Sequence, residues 1–220
     1  MPTSPNRQAR PKRRNAAQTQ ARLLAVGETL FADQGFERTT IASIAEAAGV
    51  TKAMVRYYYG DKAGLHAAVI DAVVSQVLAQ LEADLPGQAD PRGSMADFIE
   101  VFATAIISRP SFPRMLVRDY LDGDLMARPA TAQTLMQFMA KTRLRYETGR
   151  AAGVFRELNP HMLHLSIVSN AVFFSLTTRF RAAAAAQGVK PDPGLEAAAF
   201  ARHLRALLLD GMMEENIVLR

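Results

Sequence analysis

Residues 39–65 read TTIASIAEAAGVTKAMVRYYYGDKAGL, and the fold turns on this stretch. Ile41, Ile44, Ala45 and Ala48 fall at i, i+3, i+4 and i+7, one face of a helix that Thr40 opens and Gly49 closes. Glu46 is not at the third helical position, so the capping box is expected to be incomplete and the cap to rest on Thr40 alone. Thr51 caps a second short helix that runs to about Tyr59 and stops at Gly60. The pattern predicts a helix-turn-helix. Ala42, Ala45, Ala47 and Ala48 provide the small surface for a close crossing, Gly49 a positive φ in the turn, and Val50 the apolar plug. Val55 and Tyr59 take the inward side of the second helix. Lys52, Ala53, Met54, Arg56 and Tyr57 face out, with Tyr58 at the border.

Working outward, Leu23, Gly27, Leu30, Phe31 and Gln34 trace a preceding helix that Gly35 ends. Residues 1–15 are rich in Pro, Asn and Arg and read as a disordered basic arm. Asp61 caps a fourth, long helix that keeps its period to Pro86, and the clearest boundary is the loop at 86–94. Further helices are expected at about 95–109, 111–122, 127–152, 160–187 and 194–214. No period-two strand pattern is visible, so the fold class is all-α with about nine helices. From Leu158 to Thr178 no residue is charged. The run nonetheless holds Asn159, His161, His164, Ser166, Ser169 and Asn170, too polar for lipid, and reads as a core or dimer helix rather than a membrane span.

The charge is unevenly placed. Of 26 Lys and Arg, 10 lie in residues 1–65 against 5 of the 21 acidic residues, so residues 66–220 are neutral overall and the net +5 belongs to the first third. Arg10, Lys12, Arg13 and Arg14 belong to a block with no acid before Glu28, a footprint for a polyanion or a solubilising tail. The chain has no cysteine, which excludes disulfides and thiolate chemistry, and it opens with no apolar leader. His161 and His164 stand i, i+3 without a third metal ligand nearby. No Gly-rich phosphate loop, G-x-S-x-G or H-E-x-x-H is present, so no enzyme, cofactor or metal site is expected.

Residues 39–65 resemble the signature of the TetR/AcrR family of bacterial transcription regulators, the likeness covering about residues 20–70. The resemblance implies a three-helix, homeodomain-like DNA-binding domain at 16–65 and a helical ligand-binding and dimerisation domain at 66–220. It implies that Thr40 and Thr51 meet phosphates, and that Lys52, Met54 and Arg56 face base edges. Tyr57 and Tyr58 would lie along the backbone, and Lys62 would reach a phosphate. Arg56 departs from the family, where Tyr is commonest. Each role has a plainer counterpart: Tyr58 as a brace for the fourth helix, Arg56 paired with Asp61, Lys62 as a solvated charge.

The family further implies a homodimer, most often a repressor, acting in the cytoplasm without a membrane and released from a near-palindromic operator by a small apolar or amphipathic effector. Candidates for the effector pocket are Phe98, Phe102, Met115, Arg118, Tyr120 and Phe138 in the first half of the second domain. Met139, Tyr146, His164, Asn170, Phe173 and Phe174 continue the set. The apolar stripes of the last two long helices make Ile167, Ala171, Leu195, Ala199, Arg202 and Leu209 candidates for the dimer contact. Two rival readings remain: a small-molecule binder without sequence-specific DNA binding, and a nucleic-acid binder driven by the basic arm alone.

Overall fold

A computed structural model of the chain describes residues 9–84, 90–121, 129–190 and 196–213. Among them are ten α-helices: α1 (Ala9–Arg38), α2 (Ile41–Ala47), α3 (Lys52–Tyr59), α4 (Lys62–Asp84), α5 (Pro91–Ile107), α6 (Ser111–Leu121), α7 (Pro129–Ala151), α8 (Pro160–Leu176), α9 (Thr178–Ala186) and α10 (Ala197–Met212). The one extended pairing among the described residues is a bridge between Phe155 and Met213, which pins the end of α10 to the α7–α8 connection.

Helix starts follow the capping residues. Asp61 Oδ1 accepts from the Gly64 N–H at 2.7 Å, Asp90 from Arg92 and Gly93, and Asn159 from His161 and Met162. At α2 the expected lone cap is a complete capping box. Thr40 Oγ1 accepts from the Ser43 N–H at 3.0 Å, and Ser43 Oγ accepts from the Thr40 N–H at 3.2 Å. Serine at the third helical position supplies the reciprocal oxygen usually provided by Glu or Gln.

Two expectations along the chain are corrected. α1 begins at Ala9, so residues 9–15 are helical rather than a disordered arm, while residues 1–8 lie outside the described residues. Pro11 is compatible with this because first-turn N–H groups have no intrahelical acceptor to lose. Near its other end α1 breaks at Gly35 (φ 81, ψ 170) before a last turn to Arg38. The stretch at 160–187 is also not continuous. Thr177 Oγ1 and Arg181 Nη1 both donate to the Phe174 carbonyl, at 2.8 and 2.9 Å, and Arg181 lies 4.0 Å over the Phe174 ring. That local competition for a carbonyl marks the junction of α8 and α9.

α2 packs through Ile44, Ala45 and Ala48, which are buried, whereas Ala42 and Ala47 are exposed on its far side. Gly49 (φ 61) makes the turn, and the Val50 N–H returns to the Ala45 carbonyl at 2.9 Å. α4 is the central helix. Residues Lys62–Ala83 are long and apolar enough to cross a membrane by composition alone, with mean hydropathy 1.4. Here Leu65, Val69, Ile70, Val73, Val74, Val77 and Leu81 are buried in the core against α1, α5 and α7. The second half of the core is built from Phe98, Ile99, Phe102 and Ile106 of α5 with Leu163, Ile167 and Ala171 of α8 and Leu204 of α10.

Candidate DNA-recognition face and ligand cavity

α3 is held by one fully buried residue, Val55, and by Tyr59, whose hydroxyl donates to the Gln20 carbonyl of α1 at 3.3 Å. Burial, and secondarily the neighbouring Tyr58, push the Tyr59 phenol above its ordinary pKa, so it stays a neutral donor. Lys52, Ala53, Arg56 and Tyr57 are exposed on the opposite side, Tyr57 to 83%. Met54 and Tyr58 are half-buried; Tyr58 packs against the core and meets Tyr57 edge-on at 5.1 Å. Arg56 makes no ion pair among the described residues, and Asp61, its expected partner, caps α4. The outward face is therefore narrower than the sequence suggested: a lysine, an arginine and a tyrosine, flanked by Met54 and Tyr58.

Thr40 and Thr51 stand at their helix N-termini with their hydroxyls already used as caps, Thr51 Oγ1 accepting from the Met54 N–H at 3.3 Å. Lys62 is turned inward. Its Nζ donates to the Phe36 and Glu37 carbonyls at 2.8 and 3.3 Å and lies 4.1 Å over the Phe36 ring. A cation at the carbonyl end of α1 meets the negative end of the helix dipole, which gives this lysine a folding role in place of a free phosphate-seeking charge.

The second candidate site is a cavity of about 430 Å³ between α5, α6, α7 and α8. Phe102, Ile106, Phe112, Leu116, Val117, Leu135, Phe138, Val168 and Val172 make its apolar wall, with Tyr120, His164, Leu165 and Ser169 completing it. Four expected pocket residues line it: Phe102, Tyr120, Phe138 and His164. The others sit elsewhere, for identifiable reasons. Phe98 is buried behind Phe102, stacked on it at 5.9 Å with the Arg145 guanidinium 4.6 Å over its ring. Met115 is wholly buried and Met139 half-buried outside the cavity. Tyr146 is consumed structurally, its hydroxyl accepting from the Leu158 N–H at 2.7 Å and donating to the Arg156 carbonyl at 3.3 Å. Phe174 stacks on Phe200 at 4.0 Å, whereas Asn170 and Phe173 face outward.

The missed wall residues are mostly aliphatic. The signal that would have found several of them is the period of α6, where Leu116, Val117 and Tyr120 share one face and Arg114 and Arg118 the other, with Phe112 and Asp119, at i and i+7, on the seam between them. That second face and the seam are fastened to α1 and α4. Asp119 Oδ2 lies 2.9 Å from Nε2 of His66 on α4, both buried, and the His66 ring meets Phe31 and Phe36 of α1 edge-on at 4.7 and 5.2 Å. Arg114 and Arg179 both reach Asp33 of α1 at 3.0 Å. Arg118 packs over Gly35, where a Cβ would meet its guanidinium at 3.4 Å.

The expected dimer residues are largely spent inside the protomer. Ile167, Ala171 and Leu209 are buried in its own core and Ala199 is half-buried; only Arg202 is exposed, and Leu195 lies outside the described residues. The helix register places Met162, Leu165 and Phe173 of α8 and Leu207 of α10 outward instead, all more than half exposed.

A short capped helix carried outward on a three-helix bundle, with a separate helical body behind it, defines the class of helix-turn-helix transcription regulators. Residues 23–69 match the family model for bacterial regulatory proteins of the tetR family, and this part of the chain is that family's domain. It is 28% identical over 147 residues to the HTH-type transcriptional repressor NicS of Pseudomonas putida, covering 64% of this chain and 68% of that one. It is 32% identical over 95 residues to the HTH-type transcriptional regulator TtgR of Pseudomonas putida, covering 42% and 45%. In fold it is similar to the transcriptional regulator FadR of Bacillus subtilis, solved in complex with stearoyl-CoA, with a TM-score of 0.69, 16% identity, and 87% and 98% of the two chains covered. The chain thus carries the DNA-binding domain of a TetR-family transcription regulator.

Proposed function

We propose that the chain is a cytoplasmic homodimeric repressor whose operator binding is relieved by a small, largely apolar effector. The observation that carries this reading is the pairing of faces on α6. One face walls the cavity, and the other, with the seam, is tied to α1 and α4 through Asp119, Arg114 and Arg118. Residues 16–65 read DNA, and residues 66–220 hold the effector and the partner subunit. Lys52 and Arg56 meet base edges, with Met54 at the margin of the groove, while Tyr57, Tyr58 and the helix starts at Thr40 and Thr51 lie along the backbone. The helical block from Ala9 to Arg14 adds non-specific attraction.

Dimerisation uses the outward residues Met162, Leu165 and Phe173 of α8 with Leu207 and Arg202 of α10, an apolar stripe that a two-fold axis covers with its own copy. Two α3 helices then stand about 34–36 Å apart on successive major grooves. An effector filling the cavity displaces α6. Because α6 is fastened to α1 and α4, the displacement changes the separation of the two recognition helices. A coupling of about 1–3 kcal/mol weakens operator binding about 5–150-fold. The repressor sense follows NicS by analogy, and a small-molecule ligand follows FadR, solved with stearoyl-CoA.

Selection of bound sequences from random DNA tests this reading. Recovery of an inverted repeat with half-sites one helical turn apart is the expected result. Enrichment of no sequence, or competition by scrambled DNA on equal terms, refutes it in favour of a ligand binder or an arm-driven polyanion binder.

A further inference from the structure

His164 is the one cavity-lining residue whose polar atoms are fixed by a partner deep in the core. Its Nδ1 lies 3.0 Å from Oγ1 of Thr142 on α7, and Thr142 is wholly buried. The same hydroxyl lies 3.1 Å from the Phe138 carbonyl, one turn earlier on α7, and donates to it. A hydroxyl has a single proton. Both contacts are hydrogen bonds only when Thr142 donates to Phe138 and accepts from His164 Nδ1–H. With the other tautomer the hydroxyl would have to abandon one of them, and an Nε2–H donor would be left without an acceptor among the described residues. The arrangement therefore selects the neutral imidazole protonated at Nδ1.

That tautomer leaves Nε2 as a bare acceptor. No partner for it exists among the described residues, and the ring lines the cavity beside Phe102 and Phe138, which meet edge-on at 5.2 Å. Burial, and then the neighbouring His161, hold the His164 pKa below its ordinary value, so the lone pair stays available at neutral pH. No Lys, Arg, Asp or Glu is among the described residues lining the cavity. A charged ligand would lose its hydration there without a counter-charge. The remaining polar groups, Tyr120 and Ser169, are both exposed.

We infer that His164 Nε2 is the polar anchor of this cavity, and that it accepts a hydrogen bond from an uncharged, mainly apolar effector carrying one hydroxyl or N–H donor. The inference rests on the cavity being the effector site and specifies what that site selects: a donor-bearing neutral molecule over its methyl ether, its parent hydrocarbon or its carboxylate. The donor must be uncharged, because an ammonium or carboxylate pays full desolvation against this wall.

Calorimetric titration of the full-length protein with 2-naphthol, 2-methoxynaphthalene, naphthalene and 2-naphthoate tests it. Expected is that 2-naphthol binds at least about tenfold more tightly than its methyl ether, the size of one neutral hydrogen bond made in an apolar site, with 2-naphthoate weakest. His164→Phe should erase the naphthol preference and leave naphthalene within about twofold of its wild-type affinity. Equal binding of naphthol and its ether, or a preference that survives His164→Phe, overturns the anchor while leaving the cavity as a binding site. Failure of every compound to bind overturns both. Long-range ¹H–¹⁵N spectra of the wild-type protein give a readout that needs no variant. They should show His164 protonated at Nδ1, with the Nε2 resonance moving upfield on addition of 2-naphthol; a ring protonated at Nε2 refutes the assignment.

Discussion

Replacing Lys62 by Met separates two roles for one charge. Methionine keeps most of the unbranched stem and removes the ammonium. In the structure that ammonium makes hydrogen bonds of 2.8 and 3.3 Å to the last carbonyls of α1 and sits 4.1 Å over Phe36. A hydrogen bond involving a charged group contributes about 1.5–3 kcal/mol, and a cation–π contact at a partly exposed site about 0.5–1 kcal/mol. The Glu37 carbonyl is exposed and regains water, so the second bond adds little. The net loss comes to about 2 kcal/mol, roughly a 30-fold change in the folding equilibrium. Urea unfolding of the full-length protein reads this as a lower midpoint at unchanged slope. The salt dependence of operator affinity reads the alternative. A phosphate contact contributes about 0.9 to the slope of log affinity against log salt. Expected is lost stability with the slope retained. A slope reduced by about one, with the urea midpoint unmoved, would refute the inward role and return Lys62 to the phosphate backbone.

Thr40→Ala removes the side-chain acceptor of the cap but keeps the backbone N–H that donates to Ser43 Oγ, costing about 1 kcal/mol in urea unfolding; Ser43→Ala, which removes that reciprocal acceptor, should cost less but not nothing. Gly149→Ala places a Cβ 2.1 Å from the Phe155 ring, which stacks on Tyr146; overpacking should cost about 1–3 kcal/mol, and Phe155→Leu in the same chain should recover part of it. The depressed His164 pKa makes a pH prediction. The unfolded state binds the proton more readily, so the stability linked to this group is complete above about pH 6.5 and is lost as pH falls through the lower folded value; His164→Phe should flatten that part of the profile. Asp33→Asn weakens the two ion pairs from Arg114 and Arg179, exposed contacts worth under about 1 kcal/mol each, so unfolding should barely change while the effector-induced loss of operator affinity shrinks in band-shift titrations.

The recognition unit was legible because its determinants are local. Thr40, Thr51, Gly49, Gly60 and Asp61 act within a few residues of where they stand, and the inward register of Val55 and Tyr59 follows from spacing alone. Ser43 escaped because the capping-box pattern looks for a longer side chain at that position. Lys62 escaped because its acceptors lie 25 and 26 residues away on another helix. The cavity was the least legible part. Aromatic and methionine side chains draw attention in a sequence, yet whether a residue faces a void or a neighbour depends on how four helices are set against each other. Phe98 and Phe102 differ by one turn, and only the second reaches the cavity. The same holds for α8, apolar on more than one side: which side the protomer keeps for itself was decided by α5 and α10.

The division of α6 into two faces has a consequence for how such a protein diversifies. Leu116, Val117 and Tyr120 line the cavity, while Arg114 and Arg118 reach α1 and Asp119 reaches α4. If the cavity is the effector site proposed above, substitutions on the first set should change ligand preference more than linkage, and substitutions on the second should change linkage more than ligand preference. Three positions separate 117 from 120 and four separate 114 from 118, so on that reading a single eleven-residue helix would hold two separately mutable dials, one for chemical identity and one for gain.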